Sequence, residues 1–149
     1  NSTDYIKRVI GLPGDEIAMR NGVLFINGQE IPKVRKGNFE SPEEDSPIPL
    51  FEETLPNGVK YMVLDSTQNG QFDNVGPYKV PAGHYFMMGD NRDDSTDSRN
   101  LLAVGYVPAD NLIGRAEFLF FSTNHQAELW EVHRWPESIR LDRFFKKIQ

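Results

Sequence analysis

The chain has 149 residues, enough for one compact domain or one core carrying a smaller inserted lobe, and its 38% hydrophobic and 26% charged content is that of an ordinary globular protein. A formal charge of −6 argues against a broad phosphate-binding face, so nucleic acid is not an expected partner. The absence of cysteine removes disulfides, thiolate metal sites and a Cys nucleophile together, and no apolar run reaches the length needed to span a bilayer.

The chain opens with Asn1-Ser2-Thr3-Asp4, without an initiator Met or signal peptide, which reads as a piece of a longer protein. Tyr5–Ile10 is the first strand candidate. Asn21-Gly22, Asn27-Gly28 and Asn57-Gly58 each sit between apolar stretches. Asn-Gly favours the positive φ angles of type I′ turns, so each pair predicts a hairpin. Ile17–Met19 and Val23–Ile26 flank the first, and Leu50–Leu55 and Val59–Leu64 flank the last. Pro32–Pro49 is charged and proline-rich, and Asn69–Gly76 is polar with two glycines; both are expected loops. His84–Met88 and Leu112–Phe121 are further strands, the second with Ile113 and Phe118–Phe121 expected to face a core. Pro108–Asn111 suggests a short helical turn. Amphipathic helices are otherwise scarce, so the fold class is mostly antiparallel β. Residues 1–20 and 81–149 are expected to form a discontinuous core, with residues 21–80 as an inserted β-hairpin lobe.

Two segments offer chemistry. In a strand, alternate residues share a face, so Tyr5, Lys7 and Val9 would lie on one side and Ile6, Arg8 and Ile10 on the other. A lysine held between an aromatic and a β-branched neighbour loses hydration, and its pKa falls from about 10.4 toward that of a usable general base. The plainer reading is a charged residue guarding an edge strand. The second segment runs from the apolar strand His84–Met88 through Gly89 into a dense loop of Asp90, Asn91, Arg92, Asp93, Asp94, Ser95, Asp97, Ser98 and Arg99. A local ion-pair network within a surface loop is expected there. Counted from Asp93 as a calcium loop, the glycine position holds Ser98 and the final Glu position holds Val104, so the EF-hand pattern fails and no metal is expected.

Tyr5-Ile6-Lys7-Arg8-Val9-Ile10-Gly11-Leu12-Pro13-Gly14-Asp15 resembles the lysine motif of bacterial type I signal peptidases. Tyr85-Phe86-Met87-Met88-Gly89-Asp90-Asn91-Arg92-Asp93-Asp94-Ser95-Thr96-Asp97-Ser98-Arg99 resembles their second long motif. Gly105–Pro108 and Leu112–Ala116 are similar to the stretch that follows it. The pieces occur in family order. The resemblance implies an antiparallel β catalytic core of signal-peptidase type and a membrane-bound Ser/Lys endopeptidase that needs no cofactor. Lys7 matches the general base and Ser95 the hydroxyl that orients it. Asp97 and Arg99 match a supporting ion pair; Asp90, Arg92 and Gly89 match further supporting residues. Tyr5 and Met87 match residues packing on the lysine stem. Asp4, Tyr5 and Ile6 match the strand along which an extended substrate lies, a form of strand addition. The implied partners are signal peptides of exported preproteins and, through an N-terminal anchor, the bacterial cytoplasmic membrane, with the catalytic part on its outer face.

The family's nucleophilic serine precedes the lysine by a long stretch and is expected outside this sequence, so the isolated chain is expected to be inactive. Ser2 lies five residues before Lys7, roughly 17 Å along one strand at about 3.3 Å per residue, and would point to the opposite face. His84, His125 and His133 are scattered and are read as structural or surface residues. Trp130 and Trp135, beside a basic C-terminal stretch, are read as core or as an interfacial pair at a bilayer. The rival functions are a related Ser/Lys peptidase, such as a conjugative-transfer peptidase or a self-cleaving repressor, and a non-catalytic β-domain that binds extended peptides.

Overall fold

The computed structural model describes residues 4–40, 46–67, 69–119 and 146–147. The chain divides into two compact units, residues 1–113 and 114–149. Among the described residues the regular structure is almost all antiparallel β-strand, as the hairpin pattern predicts, and no helix is long and apolar enough to cross a membrane.

In the first unit, β1 (Arg8–Gly11) pairs with β9 (His84–Met88), which also pairs with β10 (Val107–Pro108). A second sheet has the order β4 (Gln29–Glu30), β3 (Val23–Ile26), β2 (Glu16–Arg20) and β8 (Val75–Lys79). A third has the order β5 (Lys33–Phe39), β6 (Ile48–Thr54) and β7 (Lys60–Leu64). Ala109–Asn111 forms a single 3-10 turn where a helical turn is predicted. The second unit contributes β11 (Phe118–Leu119) paired with β12 (Lys146–Lys147).

The first two Asn-Gly pairs turn as expected. Asn21 and Gly22 have φ of 50° and 72°, and Asn27 and Gly28 have 53° and 77°, the double positive φ of a type I′ hairpin. The third differs: Gly58 alone is positive, at 84°. Pro56 holds its own φ near −65° and opens an ordinary turn, closed by Gly58 N–H donating to Leu55 O at 2.8 Å. The left-handed residue then follows that turn instead of forming half of it.

Four sequence expectations are corrected. The predicted loop Pro32–Pro49 contains β5, which pairs along its length with β6 from Lys33 opposite Glu53 to Phe39 opposite Ile48. It is an edge strand, charged, mostly exposed and with a register shift between Arg35 and Gly37. Those are the devices that keep an edge from pairing with another chain, and they hide a strand from hydrophobic pattern. The loop Asn69–Gly76 gives way to β8 at Val75, whose Pro77 is tolerated because β8 is also an edge. The long strand Leu112–Phe121 is not formed over its first half. Ile113 is 82% exposed, with no strand partner for residues 112–117 among those described. The strand at the N-terminus begins at Arg8, and Tyr5 to Lys7 lead into it without regular pairing.

The core of the first unit draws Ile10, Ile17, Met19, Leu24, Ile26, Ile31, Tyr61, Val63, Val80, Phe86 and Met88 into one cluster. In β2 and β3 the cross-strand pairs Ile17–Ile26 and Met19–Leu24 put four of these on one face. Phe86 lies at the centre, stacked on Tyr78 at 5.2 Å between ring centroids and met edge-on by Tyr106 at 6.2 Å. All three sheets supply residues to this cluster.

Candidate active site

Lys7 sits just before β1, and β1 lies beside β9, with Arg8 opposite Met88 and Val9 opposite Met87. The loop that leaves β9 at Gly89 therefore starts next to the lysine and turns back over it. Lys7 Nζ donates to Ser95 Oγ at 2.8 Å. Ser95 is buried and Lys7 half-buried. The family resemblance implied this pairing, and the geometry joins the two residues across 88 positions of chain.

Gly89 makes that contact possible. A Cβ on it would overlap Ser95 Oγ, lie 2.5 Å from Ser95 Cβ and stand 3.6 Å from Lys7 Nζ. The loop packs against backbone that carries no side chain at the one point where the hydroxyl must pass.

The returning half of the loop is fastened to β9. Gly89 N–H donates to Asp97 Oδ2 at 2.9 Å, Met87 N–H to Ser98 Oγ at 2.9 Å, and Ser98 N–H to Met87 O at 3.0 Å. Asp97 and Arg99 form a bidentate pair, Nε to Oδ1 and Nη2 to Oδ2 at 2.8 Å each, with both side chains essentially excluded from water. Burial pushes the Asp97 carboxyl up. The Arg99 hydrogen bonds and charge, with the N–H groups of Gly89 and Arg99, outweigh it and hold the carboxyl below its ordinary value.

The expected ion-pair network inside the loop is otherwise corrected. Asp90, Arg92 and Asp93 take partners outside it, and Arg92, Ser95 and Asp97 to Arg99 are buried. Asp90 receives both Nε and Nη2 of Arg8, at 2.8 and 2.9 Å. Arg92 donates Nη1 to Glu53 Oε1 at 2.7 Å and Nη2 to Glu53 Oε2 at 2.6 Å, a fork with both side chains almost fully buried. Tyr61 Oη donates to Glu53 Oε2 at 2.7 Å. Burial raises the Tyr61 hydroxyl pKa well above the ordinary phenol value and the Glu53 charge adds to it, so the group is a fixed donor. Asp93 accepts the N–H and hydroxyl groups of both Ser66 and Thr67 at 2.6–3.0 Å. Backbone bonds from Leu64 N to Asp90 O and from Arg92 N to Leu64 O, both 2.8 Å, complete the grip of β7 on the loop.

Glu53 and Tyr61 were missed by sequence reasoning. They are cross-strand neighbours on β6 and β7, and Glu53 reads as one more charge in an acidic stretch. Arg8, inside the lysine motif, pairs with Asp90 and lies over the Tyr61 ring at 4.1 Å, contacts that nothing in the motif's spacing announces.

Asp65, Asp73 and Asp93 bring carboxylate oxygens within 4.8 Å of one another. The Lys33 ammonium pairs with Asp65 and donates to Gly22 O at 2.8 Å, placing a cation beside this acidic group. Burial, helped by the neighbouring Asp93 and Asp73, raises the Asp65 pKa despite Lys33. Ser95 and Asp97, two and four residues after Asp93, are engaged with Lys7 and Arg99.

Asp4, Tyr5 and Ile6, the residues expected to line an extended substrate, are exposed; Tyr5 is 77% and Ile6 79% accessible. β1 is the edge of its three-stranded sheet among the described residues. Met87 is half-buried opposite Val9. His84 binds Ala82 O through Nδ1 at 2.9 Å, a local contact. Ser2, His125, His133, Trp130 and Trp135 lie outside the described residues.

Residues 1–121 match the family described as signal peptidase, peptidase S26. The chain is 39% identical over 164 aligned positions to a signal peptidase I of Rickettsia bellii (strain OSU 85-389), covering 99% of this chain and 55% of that protein. It is 38% identical to a signal peptidase I of Rickettsia typhi, covering 99% of this chain and 60% of that protein. The chain thus spans somewhat over half the length of these relatives. A crystal structure of a signal peptidase I from Enterococcus faecalis V583 aligns with a TM-score of 0.39 at 26% identity, over 74% of this chain and 80% of that one.

Proposed function

The chain belongs to the signal peptidase family, peptidase S26, and from that premise we propose that it supplies the lysine base of a membrane-bound Ser/Lys endopeptidase that removes signal peptides from exported preproteins. The observation that carries this reading is the bond from Lys7 Nζ to Ser95 Oγ at 2.8 Å, seated against Gly89. Lys7 acts as the base that takes the proton of a serine hydroxyl as that serine attacks the scissile carbonyl. Ser95 orients the amine. Lys7 then returns the proton to the leaving amine, and water, activated at the same nitrogen, releases the acyl group. The attacking serine comes from residues beyond this sequence. Ser95 is held buried in a supporting position.

The substrate adds as an extended strand along Asp4, Tyr5 and Ile6, whose exposure beside the β1 edge leaves room for it. In this reading residues 1–20 and 81–149 form the catalytic core and residues 21–80 the inserted lobe. The same exposed lead into β1 favours the alternative of a non-catalytic domain that binds extended peptides, and one experiment separates the two. The longer membrane protein containing this chain is assayed on a preprotein, beside its Lys7→Ala variant. Cleavage that falls about 10³-fold or more in the variant is expected, the upper range for loss of a general base. Binding of the preprotein without cleavage by the wild type would establish the alternative. Cleavage by the 149-residue chain alone, abolished by Ser95→Ala, would make Ser95 the nucleophile and overturn the assignment.

A further inference from the structure

Lys7 and Ser95 arrive from different segments, and what holds each of them meets at one side chain. Tyr61, on β7, presents its ring face to the Arg8 guanidinium at 4.1 Å and its hydroxyl to Glu53 at 2.7 Å. Arg8 adjoins Lys7 in the chain and clamps Asp90, the first loop residue after Gly89. Glu53 holds the Arg92 fork, and Arg92 O accepts Arg99 Nη2 at 2.7 Å, so the Asp97–Arg99 pair that fastens the returning half of the loop rests on the same support. Tyr61 is 3% exposed and Glu53 1%, so neither can be replaced by water from outside.

We infer that Tyr61 and Glu53, on the sheet of β5, β6 and β7, are positioning residues for the Lys7–Ser95 pair, so that this sheet is part of the catalytic apparatus and sets the register of base against orienting hydroxyl. The inference rests on the peptidase reading above. Neither residue touches the reacting atoms. Tyr61 acts on the lysine side through Arg8 and on the serine side through Glu53 and Arg92. A structural role alone would lower stability. A positioning role lowers turnover in molecules that remain folded.

The test uses the longer membrane protein with wild-type Tyr61, Tyr61→Phe and Tyr61→Leu, assayed for kcat and KM on a preprotein. Urea midpoints are taken alongside. Tyr61→Phe keeps the ring under Arg8 and removes the hydroxyl from Glu53, which retains both Arg92 bonds, so folding is preserved. Its kcat is expected to fall about tenfold with KM unchanged, well within the cost of a displacement under 1 Å at a reacting centre. Tyr61→Leu removes both contacts and is expected to lose about a hundredfold, with Tyr61→Phe recovering part of that loss. Glu53→Asp, which keeps the charge and shortens the reach, should resemble Tyr61→Phe. Wild-type kcat in a folded Tyr61→Phe and a folded Glu53→Asp would overturn the inference, as would a fall in kcat accounted for by a lower folded fraction. A wild-type protein with no peptidase activity would instead remove the reading on which it rests.

Discussion

A methyl group on Gly89 has nowhere to go: it would overlap Ser95 Oγ and stand 3.6 Å from Lys7 Nζ. The backbone there is not left-handed, so the requirement is space alone. Gly89→Ala is therefore expected to push Ser95 off the lysine while Asp97 and Arg99 keep the rest of the loop in place. In the proposed peptidase kcat should fall about 10²-fold, the cost of a displacement near 1 Å, with far-UV circular dichroism unchanged. Wild-type turnover in Gly89→Ala would mean that the Ser95 contact does no orienting. Lys7, Ser95, Asp97 and Arg99 were legible through the family resemblance of two long segments; by residue type alone Lys7 reads as a charge guarding an edge strand and the others as part of a surface loop. Glu53 and Tyr61 were not. Their partners are 39 and 53 positions away in the chain, from Glu53 to Arg92 and from Arg8 to Tyr61, and no local spacing announces a contact made by folding one sheet onto another loop.

Strands were legible where one face is buried and the turn chemistry is local. Leu24 and Ile26 on β3 are buried and alternate with half-buried Val23 and Phe25, so the sequence pattern and the packing agree. That alternation predicts unequal costs for neighbouring truncations. Leu24→Ala removes a fully buried side chain between Met19 and Ile31 neighbours of the same cluster and should cost about 3 kcal/mol. Phe25→Ala, on the other face, loses mainly its contact with the Arg20 guanidinium, 4.8 Å from the ring, and should cost about 1 kcal/mol or less. Urea titrations of the two variants check the difference, and equal costs would mean that β3 does not present the face described. β5 escaped sequence reasoning for the complementary reason. With Val34, Arg35 and Lys36 exposed along the edge, it satisfies its backbone through β6 and buries little. An element held by hydrogen bonds with little apolar burial leaves almost no hydrophobic signature.

Over the described part of the molecule the shifted carboxylates work in opposite directions with pH. Asp97 and Asp93 lie below the ordinary value of 3.8. Burial opposes both, but the Arg99 pair outweighs it for Asp97, and the N–H and hydroxyl groups of Ser66 and Thr67 outweigh it for Asp93. For each, the native state binds fewer protons than the unfolded chain between the depressed value and 3.8. Their stabilisation is complete above the unfolded value and is lost as pH falls through the folded one. Asp65 is raised above 3.8 by burial and by Asp93 and Asp73, against Lys33. There the native state keeps a proton that the unfolded chain has released, so this group's contribution declines as pH rises from 3.8 through its raised value. Glu52, held below its ordinary value of 4.5 by the hydrogen bond and charge of Lys36 and by Lys60, joins the depressed groups, so three depressed carboxylates against one raised among the described residues predict net acid destabilisation below about pH 4, the ordinary carboxylate range. Free energies of unfolding from urea titrations at successive pH values test this. Asp97→Asn should flatten the acid limb by removing a positive slope. Asp65→Asn should steepen the profile just above 3.8 by removing a negative one. Variants that leave both slopes unchanged would mean that these carboxylates titrate alike in the folded and unfolded states. The Asp97 measurement also bears on the site, because the carboxylate that loses its charge at low pH fastens Gly89 and Arg99, the two ends of the loop that holds Ser95 to Lys7.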